Sequence, residues 1–401
     1  MPKLVDSSEI MTSRRYVHLP TEILMQIAKF IFGDDWIDGY VDFPHPQVTL
    51  QRFCAVSRQW YSAGIEFLYC RPQLSKGNSF LLFTNTVCPP LRSRGRKVNL
   101  GSLVRFLNLE ALVHHSSNSL TARLLGRVKK NLTAFVAPRV SFSINSLAPL
   151  AKCKELAHLS LRLVAEPIPF SAIKRTINSL DKLRYLELPS SMFITDDGSS
   201  EDWPPNLECM KVGGHFDAEE MYYFRWPRNL IELKLCGCED LDTPVLEHIV
   251  MNEHIRTTLT KLSIHRLNGG MFKDGPTQIL TELDKLHSLQ IPVDLLYHLL
   301  ILPAFDAGDS PSSIRELELT APYDENFPLV MEPEHICKAL KFNLSRVCYL
   351  GISPGCLRVI PEASHAKIDR FVWKNIDKCP EEELDSLCDF GLVVMDQEPV
   401  C

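Results

Sequence analysis

Arg162, Tyr185, Lys211, Lys234, Lys261 and His265 are the side chains whose types and spacing most suggest chemistry in this chain of 401 residues. Each stands in or beside a short run where apolar and polar residues alternate, so the six are expected on one face of successive strands. A strip of ammonium groups on such a face would hold a carboxylate or a phosphate, and an acidic or phosphorylated protein segment suits it. Glu187 and Glu232 fall among the lysines and dilute the strip, and alternating charges on a strand face are commonly just solvated.

Bond-making chemistry finds little support. The sequence has no Gly-x-Ser-x-Gly, no phosphate-cradling Gly-x-x-x-x-Gly-Lys, no His-Glu-x-x-His and no dinucleotide fingerprint after a strand. Gly213-Gly214 and Gly269-Gly270 read as turns, and His114-His115 as a structural or solvated pair. Thirteen cysteines include no Cys-x-x-Cys, and Cys236 with Cys238 or His335 with Cys337 lack the ligand number of a zinc site. No catalytic residue, metal or cofactor is expected. The cysteines are expected to be reduced and to pack as small hydrophobes.

The elements that position these residues come from a repeat. An apolar residue followed by a second three later and, from residue 132 on, by a third two further begins at residues 109, 132, 156, 183, 207, 230, 259, 286, 314, 347 and 368. The intervals run from 21 to 33 residues, close to the period of roughly 20 to 29 that builds a strand plus a helix. Alternating apolar side chains would point inward, and stacking would join the repeats into one core. Helices are expected between strands, at 167–179, 242–251, 295–302 and 333–340. The clearest repeat is LIELKLCGCEDLDTPVLEHIV, Leu230 to Val250, in which Cys238 sits where the chain turns off the strand. No other repeat shows asparagine or cysteine at that position, so an irregular array is expected. Pro380 to Cys401, with a helix over 381–390, would cap its end.

A different pattern stands before residue 75. In LPTEILMQIAKFI, Leu19, Ile23, Leu24, Ile27, Phe30 and Ile31 recur at helical spacing, with Thr21 and Glu22 in the first turn after Pro20. In LQRFCAVSRQWYSAGIEFLY, Phe53, Val56, Trp60 and Ile65 form a second stripe. Two short helices cannot bury both faces alone, so apolar surface should remain for something else.

This segment resembles the F-box, the helical module through which substrate receptors dock on the Skp adaptor of cullin-RING ubiquitin ligases. The resemblance rests on Leu19-Pro20, Glu22, Ile23 or Leu24, Ile27, Val56-Ser57-Arg58, Trp60 and Leu68-Tyr69. The departure is an insert over 32–49, whose Gly33, Gly39, Pro44 and Pro46 mark a loop. The Leu230 to Val250 repeat is likewise similar to the cysteine-containing leucine-rich repeats of F-box receptors. The resemblance implies an α/β architecture: a small all-α F-box module followed by an irregular leucine-rich-repeat solenoid, a curved parallel sheet with outer helices. The expected divisions are a flexible 1–16, the module at 17–75, a connector at 76–105, the solenoid at 106–378 and a cap at 379–401. It also implies docking on the Skp adaptor through Leu19, Pro20, Ile23, Leu24, Ile27, Val56 and Trp60, recruitment of a cullin, and a protein target held on the repeats by the six residues named first. A non-catalytic scaffold that never delivers a substrate is the other reading.

Composition is compatible with this. The apolar fraction is 45% and the formal net charge is -6, which gives the chain no overall attraction to nucleic acid or an anionic membrane. Arg92, Arg94, Arg96 and Lys97 form one basic loop, and 195–203 and 307–313 read as exposed serine-bearing loops. Without an apolar run of membrane length or a signal-peptide pattern, a cytoplasmic or nuclear protein is expected.

Overall fold

Helix signals in the first seventy residues are strong and local, and among the described residues they produce three helices. The computed structural model describes residues 19–33, 47–74, 78–89, 99–112, 118–190, 192–194, 202–216, 224–268, 283–296, 313–322, 333–380, 387 and 389–397. The chain divides into two compact units, Met1–Gln73 and Leu74–Cys401.

In the smaller unit, α1 (Thr21–Phe32) starts directly after Pro20, carries Glu22 in its first turn and Lys29 in its last, and ends at Gly33. Helix α2 is Gln47–Cys54 and α3 is Arg58–Cys70. Ser57 caps α3 by accepting from the Trp60 backbone N–H at 3.4 Å. Leu24, Ala28, Phe53, Cys54 and Ala63 form the core, edged by Leu19, Ile27, Ile31, Trp60, Phe67 and Leu68. Gly64 lets α2 and α3 approach closely: a Cβ there would lie 2.8 Å from both Cys54 Sγ and Phe53 Cδ1. The expected insert is narrower at both ends, because Phe32 closes α1 and Gln47 to Thr49 open α2.

The larger unit is a parallel sheet with helices between its strands. Its strands are β1 (Phe106–Asn108), β2 (Ala134–Val136), β3 (His158–Ser160), β4 (Tyr185–Glu187), β5 (Phe193–Ile194) and β6 (Cys209–Phe216). They continue as β7 (Glu232–Cys238), β8 (Lys261–Ile264), β9 (Ser288–Pro292), β10 (Glu316–Thr320), β11 (Tyr349–Ile352) and β12 (Gly391–Val394). Neighbours in the sheet follow chain order from β1 to β12, with β5 alone off the path and paired to β6. A single register row, Leu107, Phe135, Leu159, Leu186, Met210, Leu233, Leu262, Leu289, Leu317 and Leu350, runs across ten strands. None of these side chains is more than 2% exposed. From Phe135 on, that row is the middle position of the apolar triplet, and it is what each repeat contributes to the shared core.

Helices α4 (Ser79–Val87), α5 (Asn118–Val128), α6 (Ile144–Leu150), α7 (Phe170–Asn178), α8 (Thr243–Met251) and α9 (Glu253–Thr258) lie between strands or ahead of them. Helices α10 (Val293–Leu296), α11 (Pro333–Lys341) and α12 (His365–Ile376) follow. Helix α8 begins where the sequence places it, with Asp242 accepting from the Val245 backbone N–H at 2.9 Å. No helix among the described residues is long and apolar enough to cross a membrane.

Several expectations change. Residues 76–105 are not a bare connector, since α4 buries Phe80, Phe83 and Val87 within the larger unit. The first strand is Phe106–Asn108, just ahead of the expected Leu109. Ile368, Phe371 and Trp373 belong to α12 and form no strand. Ile368, Val372 and Asn375 recur there at four and three residues and are buried, so a three-point pattern served the helical period equally well. The following strand is β12, which pairs with β11 and extends the sheet. Gly213 and Gly214 lie in β6, where a Cβ on Gly214, at φ 105°, would sit 2.2 Å from the Met192 carbonyl oxygen. The turn role given to Cys238 is shared: Asn268 donates to Leu235 O and accepts from Cys238 N, both at 3.0 Å, and Cys356 Sγ donates to Thr320 O at 2.8 Å. Ten described cysteines are free thiols, nine of them buried. Cys236 is not among these free thiols. Residues 1–16, the insert over 34–46, the basic loop at 92–97, His114-His115, Gly269-Gly270 and most of the 195–203, 307–313 and 381–390 segments lie outside the described residues.

Candidate functional site

Two surfaces carry the residues singled out by the sequence, one in each unit. In the smaller unit, α1 has two apolar stripes. Leu24, Ala28 and Ile31 point into the core, while Ile23, Ile27 and Phe30 recur at the same spacing to one side. Ile23 is 41% exposed and Phe30 88% exposed. Pro20 is exposed as well, and Val56, just ahead of α3, is 61% exposed. Gln59 Nε2 donates to Leu19 O at 2.9 Å, which holds the start of α3 beside the start of α1. Pro20, Ile23 and Val56 therefore belong to the same end of the unit.

Leu24 is the correction in this set. It is 0% exposed and makes the core, so its side chain offers nothing to a partner. Leu19, Ile27 and Trp60 are intermediate: they edge the core, and the Trp60 ring lies 4.6 Å from that of Phe53. Met25, Val48 and Tyr61 are exposed apolar residues that the sequence reading did not select.

In the larger unit, strand register sets two rows on the face opposite the leucine row. One is His158, Tyr185, Cys209, Glu232, Lys261, Ser288, Glu316 and Tyr349. The other is Ser160, Glu187, Lys211, Lys234, Ser263, Gln290 and Glu318. Parallel strands place successive members about 4.8 Å apart, close enough for side chains to pair along each row.

Glu187 is the hub, and sequence reasoning counted it only as a dilution of positive charge. Its carboxylate accepts from Ser160 Oγ and from the Tyr185 hydroxyl at 2.6 Å, and lies 3.5 Å from Lys211 Nζ. Burial alone would raise its pKa, but the hydrogen bonds from Ser160 and Tyr185 and the charges of Lys211 and Arg162 outweigh burial and hold it below the ordinary carboxylate value. Lys211 does not gain equally. Burial pushes its ammonium below the usual lysine value, only partly offset by Glu187. Glu187 collects several donors, whereas Lys211 has one acceptor at long range. His158 stacks on Tyr185 with rings 4.0 Å apart, and burial pushes its imidazole down to about 4, against the pull of Glu187.

The expected basic strip is therefore interrupted. Arg162 pairs with Glu110 at 2.6 Å and Lys234 with Glu232 at 2.8 Å. Only 12% of the Lys211 side chain is exposed. Lys261 is exposed and stands beside Glu232 in register, while His265 lies past the end of β8 and accepts from Leu267 N at 3.3 Å. Arg162, Tyr185 and Lys211 are brought together around Glu187; Lys234 and Lys261 meet around Glu232. The signal that could have shown this is the shared register position of Ser160, Glu187 and Lys211. Further along, Ser263, Gln290 and Glu318 form a hydrogen-bonded chain across β8, β9 and β10. No group of three or more His, Cys, Asp or Glu among the described residues could hold a metal ion.

No family model matches the sequence. Over 269 residues, 64% of this chain, it is 29% identical to F-box protein YDR306C of Saccharomyces cerevisiae, of which the match covers 55%. Over 189 residues, 47% of this chain, it is 26% identical to protein pof5 of Schizosaccharomyces pombe, of which the match covers 51%. The chain thus spans about half the length of the curated relatives it matches. Among solved structures, a chain of the yeast Rad7 and Elc1 complex is similar over 83% of this chain and 88% of its own, with a TM-score of 0.36 and 13% identity.

Proposed function

We propose that this chain is an F-box protein that docks on a Skp-type adaptor through its smaller unit and holds a protein target on the sheet of its larger one. The observation that carries the reading is the outward stripe of α1. Leu24 and Ala28 already satisfy the core of the unit, yet Pro20, Ile23, Phe30 and Val56 present a second apolar surface at one side and end. Exposed apolar surface of this kind costs solubility unless a partner covers it. A curated relative is named an F-box protein, which supports the same assignment. In this reading Pro20, Ile23 and Val56 lead the docking, with Leu19, Ile27 and Trp60 shaping the surface from below.

The larger unit would be a leucine-rich-repeat receptor. Its role is proximity: it raises the effective concentration of a target lysine near ubiquitin activated elsewhere in a cullin complex, and makes or breaks no bond itself. Because Lys211 and Lys234 are paired, an anionic target must compete with Glu187 and Glu232 or engage Lys261 at the edge of the network. The test is an adaptor pull-down followed by reconstitution with cullin and charged ubiquitin enzyme. Transfer to co-purified protein supports the receptor, adaptor binding without cullin recruitment supports a scaffold, and absence of adaptor binding removes the docking claim.

A further inference from the structure

The strongest unassigned feature is a cavity of about 530 Å³ in the larger unit, on the turns that lead into β2 and β3. Backbone bonds from Ala157 N and His158 N to Thr133 O, at 2.8 and 3.0 Å, hold these two turns side by side. Arg127 reaches the cavity from the last turn of α5, Lys129 and Lys130 from the turn after it, and Lys152 and Lys154 from the turn after α6. Its one carboxylate, Glu155, is already bound by Lys182 at 2.6 Å. Lys154 is tied to Ser179 O, and no described carboxylate pairs with Arg127, Lys129, Lys130 or Lys152.

Cations at a helix C-terminus complement its dipole, which accounts for one at the end of each helix. It does not account for five converging on one concavity of a chain whose net charge is -6. Crowding like charges in a recess raises their mutual repulsion, and a multiply charged anion would relieve it. The volume falls in the range of small-molecule pockets and far exceeds a single phosphate ion. The site stands at the turns ahead of β2 and β3, away from the sheet-face rows proposed for the target.

We propose that this cavity binds a soluble small anion bearing two or more linked phosphoryl groups. The test is calorimetric titration of the full chain with inorganic tripolyphosphate, with orthophosphate and with vesicles containing phosphatidylserine as separate arms. One saturable site for tripolyphosphate is expected, weakened by added salt, with orthophosphate weaker by roughly tenfold or more, as fewer charge-assisted contacts imply. The double variant Lys130→Glu with Lys152→Glu should lose roughly tenfold or more in affinity, and the neutral pair Lys130→Gln with Lys152→Gln a smaller part of it. Both lysines are exposed, and circular dichroism checks that the variants keep their fold. Absence of saturable tripolyphosphate binding, unchanged affinity in both folded variants, or binding to vesicles without binding to tripolyphosphate would each overturn the proposal.

Discussion

Replacing Glu187 by Gln removes the charge at the hub of the sheet's polar face while keeping its shape. The wild-type carboxylate accepts two side-chain hydrogen bonds and faces Lys211 at 3.5 Å. A hydrogen bond to a charged acceptor exceeds a neutral one by about 1 kcal/mol, so two such bonds lose about 2 kcal/mol. The lost ion pair adds about 1 kcal/mol, because Lys211, with 12% of its side chain exposed, keeps little water to replace its partner. The total is about 3 kcal/mol. At about 2.1 cal/mol/K per residue over the unit Leu74–Cys401, this lowers its Tm by about 4 °C. The assay is urea and thermal unfolding followed by circular dichroism at neutral pH. The double variant Glu187→Gln with Lys211→Met should recover part of the loss, since no uncompensated ammonium is left buried. Glu187 is held below the ordinary carboxylate value, so its contribution is present above the unfolded pKa and lost as pH falls through the folded one. The gap between wild type and Glu187→Gln should therefore close in acid. A loss under about 1 kcal/mol at neutral pH, or a double variant as unstable as the sum of its parts, would refute the hub.

His158, pushed down to about 4 by burial, should titrate near that pH in an NMR pH series; a midpoint near 6.5 would contradict its burial. Between about 6.5 and 4 the unfolded imidazole holds the proton and the folded one does not, so stability should fall by about 1.4 kcal/mol per unit as pH drops, and His158→Gln should flatten that slope. Asn375 Nδ2 contacts Leu340 O and Leu344 O at 3.2 Å and Val347 O at 3.3 Å, all within the larger unit. Asn375→Ala should cost about 2 kcal/mol in urea unfolding, whereas a change under about 0.5 kcal/mol would mean water replaces the amide. Gly214→Ala places a Cβ at 2.2 Å from Met192 O on a left-handed backbone, and should destabilise by about 2 kcal/mol or more; a neutral substitution would mean that β5 is not held against β6 there.

The parts of the fold that repeat were readable because burial repeats with them. The middle residue of nine triplets, from Phe135 to Leu350, became the buried register row. What failed was the discrimination of one period from another over few points, as at Ile368, which served a helix. The turn residues Asn268 and Cys356 were missed because each stands one position later than Cys238 relative to its triplet, and a fixed spacing cannot absorb that slip. Site residues were harder. Leu24 and Ile23 are neighbours with similar side chains, and only the packing of α1 against α2 and α3 buries one and exposes the other. Along the sequence Glu187 and Glu232 merely diluted the basic strip. Pairing across strands, Lys211 with Glu187 in particular, was visible only once register was known.

The central claim is that the outward stripe of the smaller unit is a docking surface separate from its core. Its most direct measurement is the affinity of purified chain for a purified Skp-type adaptor, compared with the variant Pro20→Ala, Ile23→Ser, Val56→Ser. Saturable binding by the wild type and a loss of roughly hundredfold in the variant, with helix content unchanged, is the predicted result for three central apolar contacts. No measurable binding by the wild type, or full binding by the folded variant, would contradict it.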